Sequence, residues 1–170
     1  VLHCVYAYGL AFMPHGENVI LVLEDDVPTR VFVKDIAEEV VLMDDEVPLP
    51  SAAERVRADV PEELWLLSVF TDVFDCFFRF LGAILHADET MTQDVFWSTV
   101  AGCVRDYQRS VPWLAPRFAV HDVFADRFPL SCLNRLQLRD NRQMVDLQAP
   151  AGSLVLTGTL ANPLARYAAC

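Results

Sequence analysis

The sequence predicts an α+β chain, with an N-terminal helix and β-hairpin followed by a mostly helical C-terminal region. Three observations predict it. An apolar run, VLHCVYAYGLAFM, opens the chain and stops at Pro14. VILVL and VFV then flank a short acidic stretch. Beyond Pro61 two long stretches read as helices, the second stopping before Pro112.

Taken in order, residues 1–13 are predicted as a helix, because a residue that precedes proline avoids the helical region. Residues 18–23 and 30–35 are predicted as strands, since β-branched and aromatic residues favour strand over helix at this length. Residues 36–60 read as irregular, broken by Pro48 and Pro50, with a short helix around Ala52–Arg57. A long helix is predicted from Pro61 to His86, with Asp59 as a cap and Glu62 and Glu63 at its positive end. A second runs from Thr92 to Arg109, and a shorter helical region lies within 114–127. SCLNRLQLR at 131–139 fits neither period and stays open between helix and strand. GSLVLTGTL reads as a strand ahead of a closing Asn-Pro-Leu. There is no internal repeat and no low-complexity segment.

With 170 residues, 54% of them hydrophobic, the chain can bury a substantial core. A domain near that size buries about 68–70% of its unfolded surface. One domain, or one large piece of a bigger one, is expected; the opening Val and immediate apolar run suggest a missing N-terminal portion. Thirteen basic against 24 acidic residues give a formal charge of −11. Such a surface repels phosphodiester backbones and argues against nucleic acid, though not against one nucleotide held through a metal. The acidic runs at 24–26 and 44–46 read as solvated loops.

Five cysteines without a CxxC pair, and without metal-ligand spacing to the four histidines, read as free thiols in a reducing cytoplasm. No signal peptide is evident. Leu64 to Ala87 is apolar enough to suggest a membrane span. Asp72, Asp75 and Arg79 interrupt it along one side, however, with Asp75 and Arg79 spaced to pair, so a buried helix is expected.

The chemistry concentrates at the open end of the hairpin. With Glu24–Thr29 as a six-residue loop, opposed residues have numbers summing to 53. Asn18 then faces Asp35, Ile20 faces Val33 and Val22 faces Val31, all on one face. An amide oxygen and a carboxylate so placed can share one hard cation; Mg²⁺ is commonly held by one or two protein oxygens plus nucleotide phosphates. The register decides this, because a one-residue slip reverses every side chain. Gly16 lets backbone approach a ligand closely, and His15 reaches the same pocket as a hydrogen-bonding group. Each residue also has a bland reading: a turn cap for Asn18 and Asp35, a backbone contact for His15.

The ordered set of His-Gly-x-Asn at 15–18, the apolar strand after it, Pro-x-Arg at 28–30 and Lys-Asp at 34–35 resembles the aerobactin synthetase (IucA/IucC) family of NRPS-independent siderophore synthetases. LNRLQL at 133–138 and NPL at 162–164 are similar to the C-terminal region of that family. The resemblance implies the C-terminal portion of such an enzyme. Residues 1–40 would be a helix plus an ATP- and Mg²⁺-binding hairpin, and 41–170 a helix-rich, FhuF-like region of a palm-like part.

It also implies a cytoplasmic, AMP-forming acid–amine or acid–alcohol ligase. Such an enzyme adenylates a citrate- or succinyl-type carboxylate and condenses it with an amine or hydroxyl. His15 is implied as the catalytic contact to carboxylate or phosphate, Gly16, Glu17, Asn18 and Asp35 as nucleotide-binding, and Asn18 and Asp35 as metal ligands. Glu17 stands where the family often has Gln, and an ionised Glu repels phosphate unless metal-bound or protonated. Arg30 points away from Asn18 and Asp35 in this register and reads as structural; Arg135 and Arg139 stay open between site and surface.

The resemblance further implies a homodimer, partnered by the missing N-terminal part of the synthetase, without membrane or nucleic acid. Cations for the leaving pyrophosphate would come from that missing part, so little activity is expected of this chain alone. Two other readings stay open. A small-molecule kinase also sets a metal-binding Asp beyond an Asn and a hairpin, but Glu17 abuts Asn18 where a catalytic acid needs spacing. A non-catalytic helical binding or dimerisation module could use FTDVFDCFFRF, Phe70–Phe80, as an interface, although large aromatics more often fill cores.

Overall fold

The computed structural model describes residues 1–36, 40–131 and 156–168. The first half holds α1 (Leu2–Tyr8), β1 (Leu10–Phe12), β2 (Val19–Glu24), β3 (Val27–Val33) and β4 (Val40–Leu42). A π-helical segment (Val69–Phe78) then runs into α2 (Arg79–Ala87), followed by α3 (Gln93–Ser110), α4 (Ala115–Val120), β5 (Arg127–Ser131) and β6 (Leu156–Ala161). The strands pair as three antiparallel ladders: β1 with β4, β2 with β3 and β5 with β6. The predicted class holds: α+β, with hairpin before helices.

The first helix is shorter than the predicted 1–13. Gly9 ends it in the left-handed conformation at φ 60, and its amide bonds back to Val5. A β-carbon there would also lie 2.6 Å from the Asp44 β-carbon, so only glycine fits. Released from the helix, Leu10–Phe12 pair with Val40–Leu42, a strand that the proline-rich 36–60 reading missed. The short helix expected near Ala52–Arg57 is a 3₁₀ turn at Ser51–Val56.

The predicted 61–86 helix is broken. A 3₁₀ turn at Glu62–Leu64 comes first, without a side-chain cap from Asp59, and the π-helical segment follows before α2. Wider winding keeps every fourth residue in line. Phe70, Phe74 and Phe78 accordingly form a row, with ring centroids 5.8 and 6.4 Å apart. The row packs against Phe96, Trp97 and Phe128, and the core extends to Val5, Tyr6, Val123 and Leu164. Phe77, Phe80 and Ile84 face out on the other side, and Asp75 pairs with Arg79 at 3.2 Å as its spacing predicts. Among the described residues no helix is long and apolar enough to cross a membrane.

α3 matches its prediction, capped by the Thr92 hydroxyl, which accepts from the Val95 amide at 3.2 Å. The closing Asn-Pro-Leu is an internal clasp. Asn162 is buried; its Nδ2 donates to the carbonyls of Val123 and Ala125 (2.9 and 2.8 Å), and its Oδ1 accepts from the Leu164 amide. Apart from Ser131, the 131–139 stretch lies outside the described residues, and so do Arg135 and Arg139.

Candidate functional site

The His-Gly-Glu-Asn stretch folds as a tight turn. The Asn18 amide donates to the His15 carbonyl at 3.0 Å, leaving Gly16 and Glu17 exposed at the crest. Asn18 is 3% exposed and turned inward. Its Nδ2 donates to the Met13 carbonyl at 3.3 Å and lies 3.2 Å from His15 Nε2. The Glu17 amide also approaches His15 Nδ1, at 3.4 Å. Gly16 is not demanded by the fold, since a β-carbon there would meet nothing within 4 Å. A glycine without a structural need, at an exposed crest beside a histidine, suits close approach by a ligand.

The hairpin register differs from the prediction. Asp25 and Asp26 alone make the turn, both left-handed at φ 51 and 64, in place of a six-residue loop. Paired left-handed residues match the twist of the strands, and Asp tolerates that region better than most. Val19 therefore faces Val33, Ile20 faces Phe32 and Val22 faces Arg30, with a bulge ahead of Leu23.

Lys34 donates its amide to the Asn18 carbonyl at 3.0 Å, so Lys34, not Asp35, lies opposite Asn18. A cation shared between Asn18 and Asp35 across the strand pair loses its geometric basis. Arg30, expected to point away, falls on the Ile20–Val22 face and pairs with Glu24 at 3.3 Å near the tip.

The two polar stretches nevertheless meet. That same Asn18–Lys34 bond ties the histidine turn to the Lys34–Asp35 pair at the open end of the hairpin. Asp35 sits at φ 58, its exposed carboxylate 2.5 Å from Lys34 Nζ. The donor set is thus one imidazole, an exposed glycine, one ammonium and two carboxylates, Glu17 and Asp35. This suits a phosphate with its counter-cation: ammonium and backbone N–H for the anion, carboxylate for the metal. No group of three His, Cys, Asp or Glu side chains converges among the described residues.

A second polar cluster, missed in the sequence, gathers around Asp44. Asp44 belongs to the 44–46 run expected to be solvated, yet it is buried at 8% exposure. Arg117 on α4 hydrogen-bonds its carboxyl at 2.5 Å and so holds the carboxyl below its ordinary range against the opposing effect of burial. Arg57 donates to the carbonyls of Asp44 and Val47, both at 2.8 Å. Trp65 stacks on His121 with ring centroids 4.6 Å apart, and burial pushes the His121 imidazole below its usual value. The cluster clamps β4 to α4. The one sequence signal was the position of Asp44, directly after the apolar VVLM.

Residues 1–146 match the ferric iron reductase FhuF-like transporter family. The chain belongs to that family. The match runs through both the hairpin and the helical part. Putrebactin synthase of Shewanella sp. (strain MR-4) is 44% identical over 98% of this chain, and the rhizobactin siderophore biosynthesis protein RhbF of Rhizobium meliloti is 30% identical over 98%.

Aerobactin synthetase IucC of Klebsiella pneumoniae superposes with a TM-score of 0.77 at 25% identity over 97% of the chain. Petrobactin biosynthesis protein AsbB of Bacillus anthracis shares the fold with a TM-score of 0.72. The resemblance to the aerobactin synthetase (IucA/IucC) family therefore holds, and siderophore biosynthesis is the setting of these relatives. The chain spans 27–29% of the length of each. FhuF-like members carry reductase in their family description, whereas the relatives named here are siderophore synthetases or biosynthesis proteins, and this sequence has no CxxC pair.

Proposed function

We propose that the chain supplies the hairpin-base part of an ATP-dependent, AMP-forming siderophore ligase. What carries the reading is the 44% identity to putrebactin synthase across 98% of the chain, which includes the exposed His15–Gly16 turn. In such a ligase a carboxylate oxygen attacks the α-phosphate of ATP and pyrophosphate leaves. An amine or hydroxyl then attacks the acyl carbon, AMP departs, and the nucleophile loses a proton.

Within that scheme the His15 imidazole and the Gly16 backbone contact carboxylate or phosphate oxygens, and Lys34 adds positive charge beside them. Asp35 serves the magnesium end; bound with ATP, magnesium would neutralise phosphate charge. Asn18 holds the turn through its inward amide. Glu17 lies nearest to repel phosphate, so its carboxylate must share the metal or face away. The pyrophosphate-side cations come from polypeptide beyond this chain, and the chain alone has little or no activity.

The test is carboxylate-dependent ATP–pyrophosphate exchange on a synthetase-length protein containing this chain, with His15→Ala and Asp35→Ala beside it. Exchange with citrate or a succinyl acid, lost in Asp35→Ala, supports the reading. ATP turned over to ADP without exchange refutes it and favours a kinase.

A further inference from the structure

The β2–β3 hairpin stands off the core. Among the described residues, none of 19–33 belongs to the buried cluster or to the partly buried hydrophobics packed against it. Six large apolar side chains, Ile20, Leu21, Leu23, Val27, Val31 and Phe32, are 49–59% exposed. The register sorts them. Val19, Leu21 and Leu23 share one face with Val31 and Val33, and that face is apolar from base to tip. Ile20 and Phe32 make an apolar patch at the base of the other face, with the Arg30–Glu24 ion pair toward the tip. Neither outer edge pairs with a further strand among the described residues. A lone two-stranded hairpin is marginal in water, exposed edges invite pairing, and strands apolar on both faces belong inside a larger sheet.

We propose that this hairpin is a docking element, inserted into a sheet supplied by the remainder of a synthetase-length polypeptide. The inference rests on the ligase reading. The relatives sharing this fold carry roughly 71–73% more of their length beyond the matched part, since the chain covers only 27–29% of them. A second copy meets the need less well: a two-fold contact on one face leaves the other face exposed, and each copy carries a net charge of −11. The complementary surface is apolar over Leu21, Leu23 and Val31, extends the backbone ladder at β2 or β3, and bears basic groups toward Glu24, Asp25 and Asp26. Docking would set the histidine turn, tied to this hairpin through Asn18 and Lys34, against the rest of the active site.

Hydrogen exchange read by mass spectrometry tests the proposal. The 170-residue chain is compared with the same chain grafted in place of the matched segment of Shewanella putrebactin synthase. In the graft, amides of 19–33 should exchange on the order of 100-fold more slowly than in the isolated chain, while α3 amides are protected in both. Leu21→Lys with Val31→Lys should abolish the gain in the graft and leave α3 protection unchanged in the isolated chain.

Equal hairpin exchange in both proteins overturns the proposal. So does a hairpin already protected in the isolated monomer, which would mean that the chain covers it itself. Concentration-dependent protection in the isolated chain, lost in the Lys variant, assigns the surface to a second copy instead. Pyrophosphate exchange on the same graft separates the two readings: a protected hairpin without exchange keeps the docking and removes the ligase.

Discussion

Asp44→Asn isolates what the buried ion pair contributes. Removing one partner of a buried pair costs about 3–5 kcal/mol, much of it the stranded charge that remains. Two features reduce that figure here. The Arg117 side chain is 34% exposed, so water can solvate the orphaned guanidinium. Asparagine also keeps an acceptor for the Glu46 amide, which now donates to Asp44 Oδ1 at 3.0 Å. The expected loss is then about 1.5–3 kcal/mol, or roughly 4–10 °C in Tm for a chain of this size.

The pH dependence follows from the direction of the shift. Arg117 lowers the folded Asp44 value beneath the ordinary 3.8, so the unfolded chain binds the proton first on acidification. The stabilisation is complete above about pH 5 and disappears as pH falls through the folded value. Urea unfolding of both proteins from pH 7 to pH 2.5 reads this directly: the gap should be full at pH 7 and should close at the acid end. A gap below about 0.3 kcal/mol at pH 7, or one that persists unchanged at pH 2.5, would refute the clamp.

Burial lowers the folded His121 value, so the neutral ring is the stable form and stability falls as pH drops below the ordinary 6.5. His121→Gln should flatten the wild-type profile between pH 7 and 5, seen in the same titration. Asn162→Ala leaves the Val123 and Ala125 carbonyls and the Leu164 amide without their partner inside the core. At about 1–3 kcal/mol for each buried group left unsatisfied, a loss of about 3 kcal/mol or more is expected by urea unfolding. Gly9→Ala meets both a left-handed backbone and the 2.6 Å approach to Asp44, and should lower Tm by about 5 °C or more in a thermal melt.

Class, the hairpin ahead of the helices, the span of α3 and the Asp75–Arg79 pair were legible because each rests on a local pattern. What failed depended on partners distant in sequence. Gly9 stops α1 in the left-handed conformation, and Asp44, far along the chain, leaves no room there for a side chain. Pro14, the apparent stop, only follows a strand already formed. The four-residue recurrence of Phe70, Phe74 and Phe78 is the pattern of an α-helical face as well, so it did not distinguish the π-helical winding. At the candidate site the residues were legible and their register was not. An acidic run of EDD invites a long loop, yet Asp25 and Asp26 close a two-residue turn, and with the bulge ahead of Leu23 the pairings from Val19 to Val22 shift by one.

That shift changes what the site asks of each residue. With Lys34 opposite Asn18, the open end of the hairpin joins an anion-attracting group to a carboxylate, where Asn18 and Asp35 had been expected to face each other and share a cation with nucleotide phosphates. The turn that carries His15 is anchored through Asn18. Asn18 binds it to Met13, and Met13 follows β1, whose partner β4 leads directly into Asp44 and its Arg117 clamp. Position at the turn is thus inherited from the helical core through one short ladder, whereas no residue of the hairpin beyond it joins the buried cluster among the described residues. A rigid root with an uncovered arm is the arrangement expected where a site is finished by a surface that this chain does not itself supply.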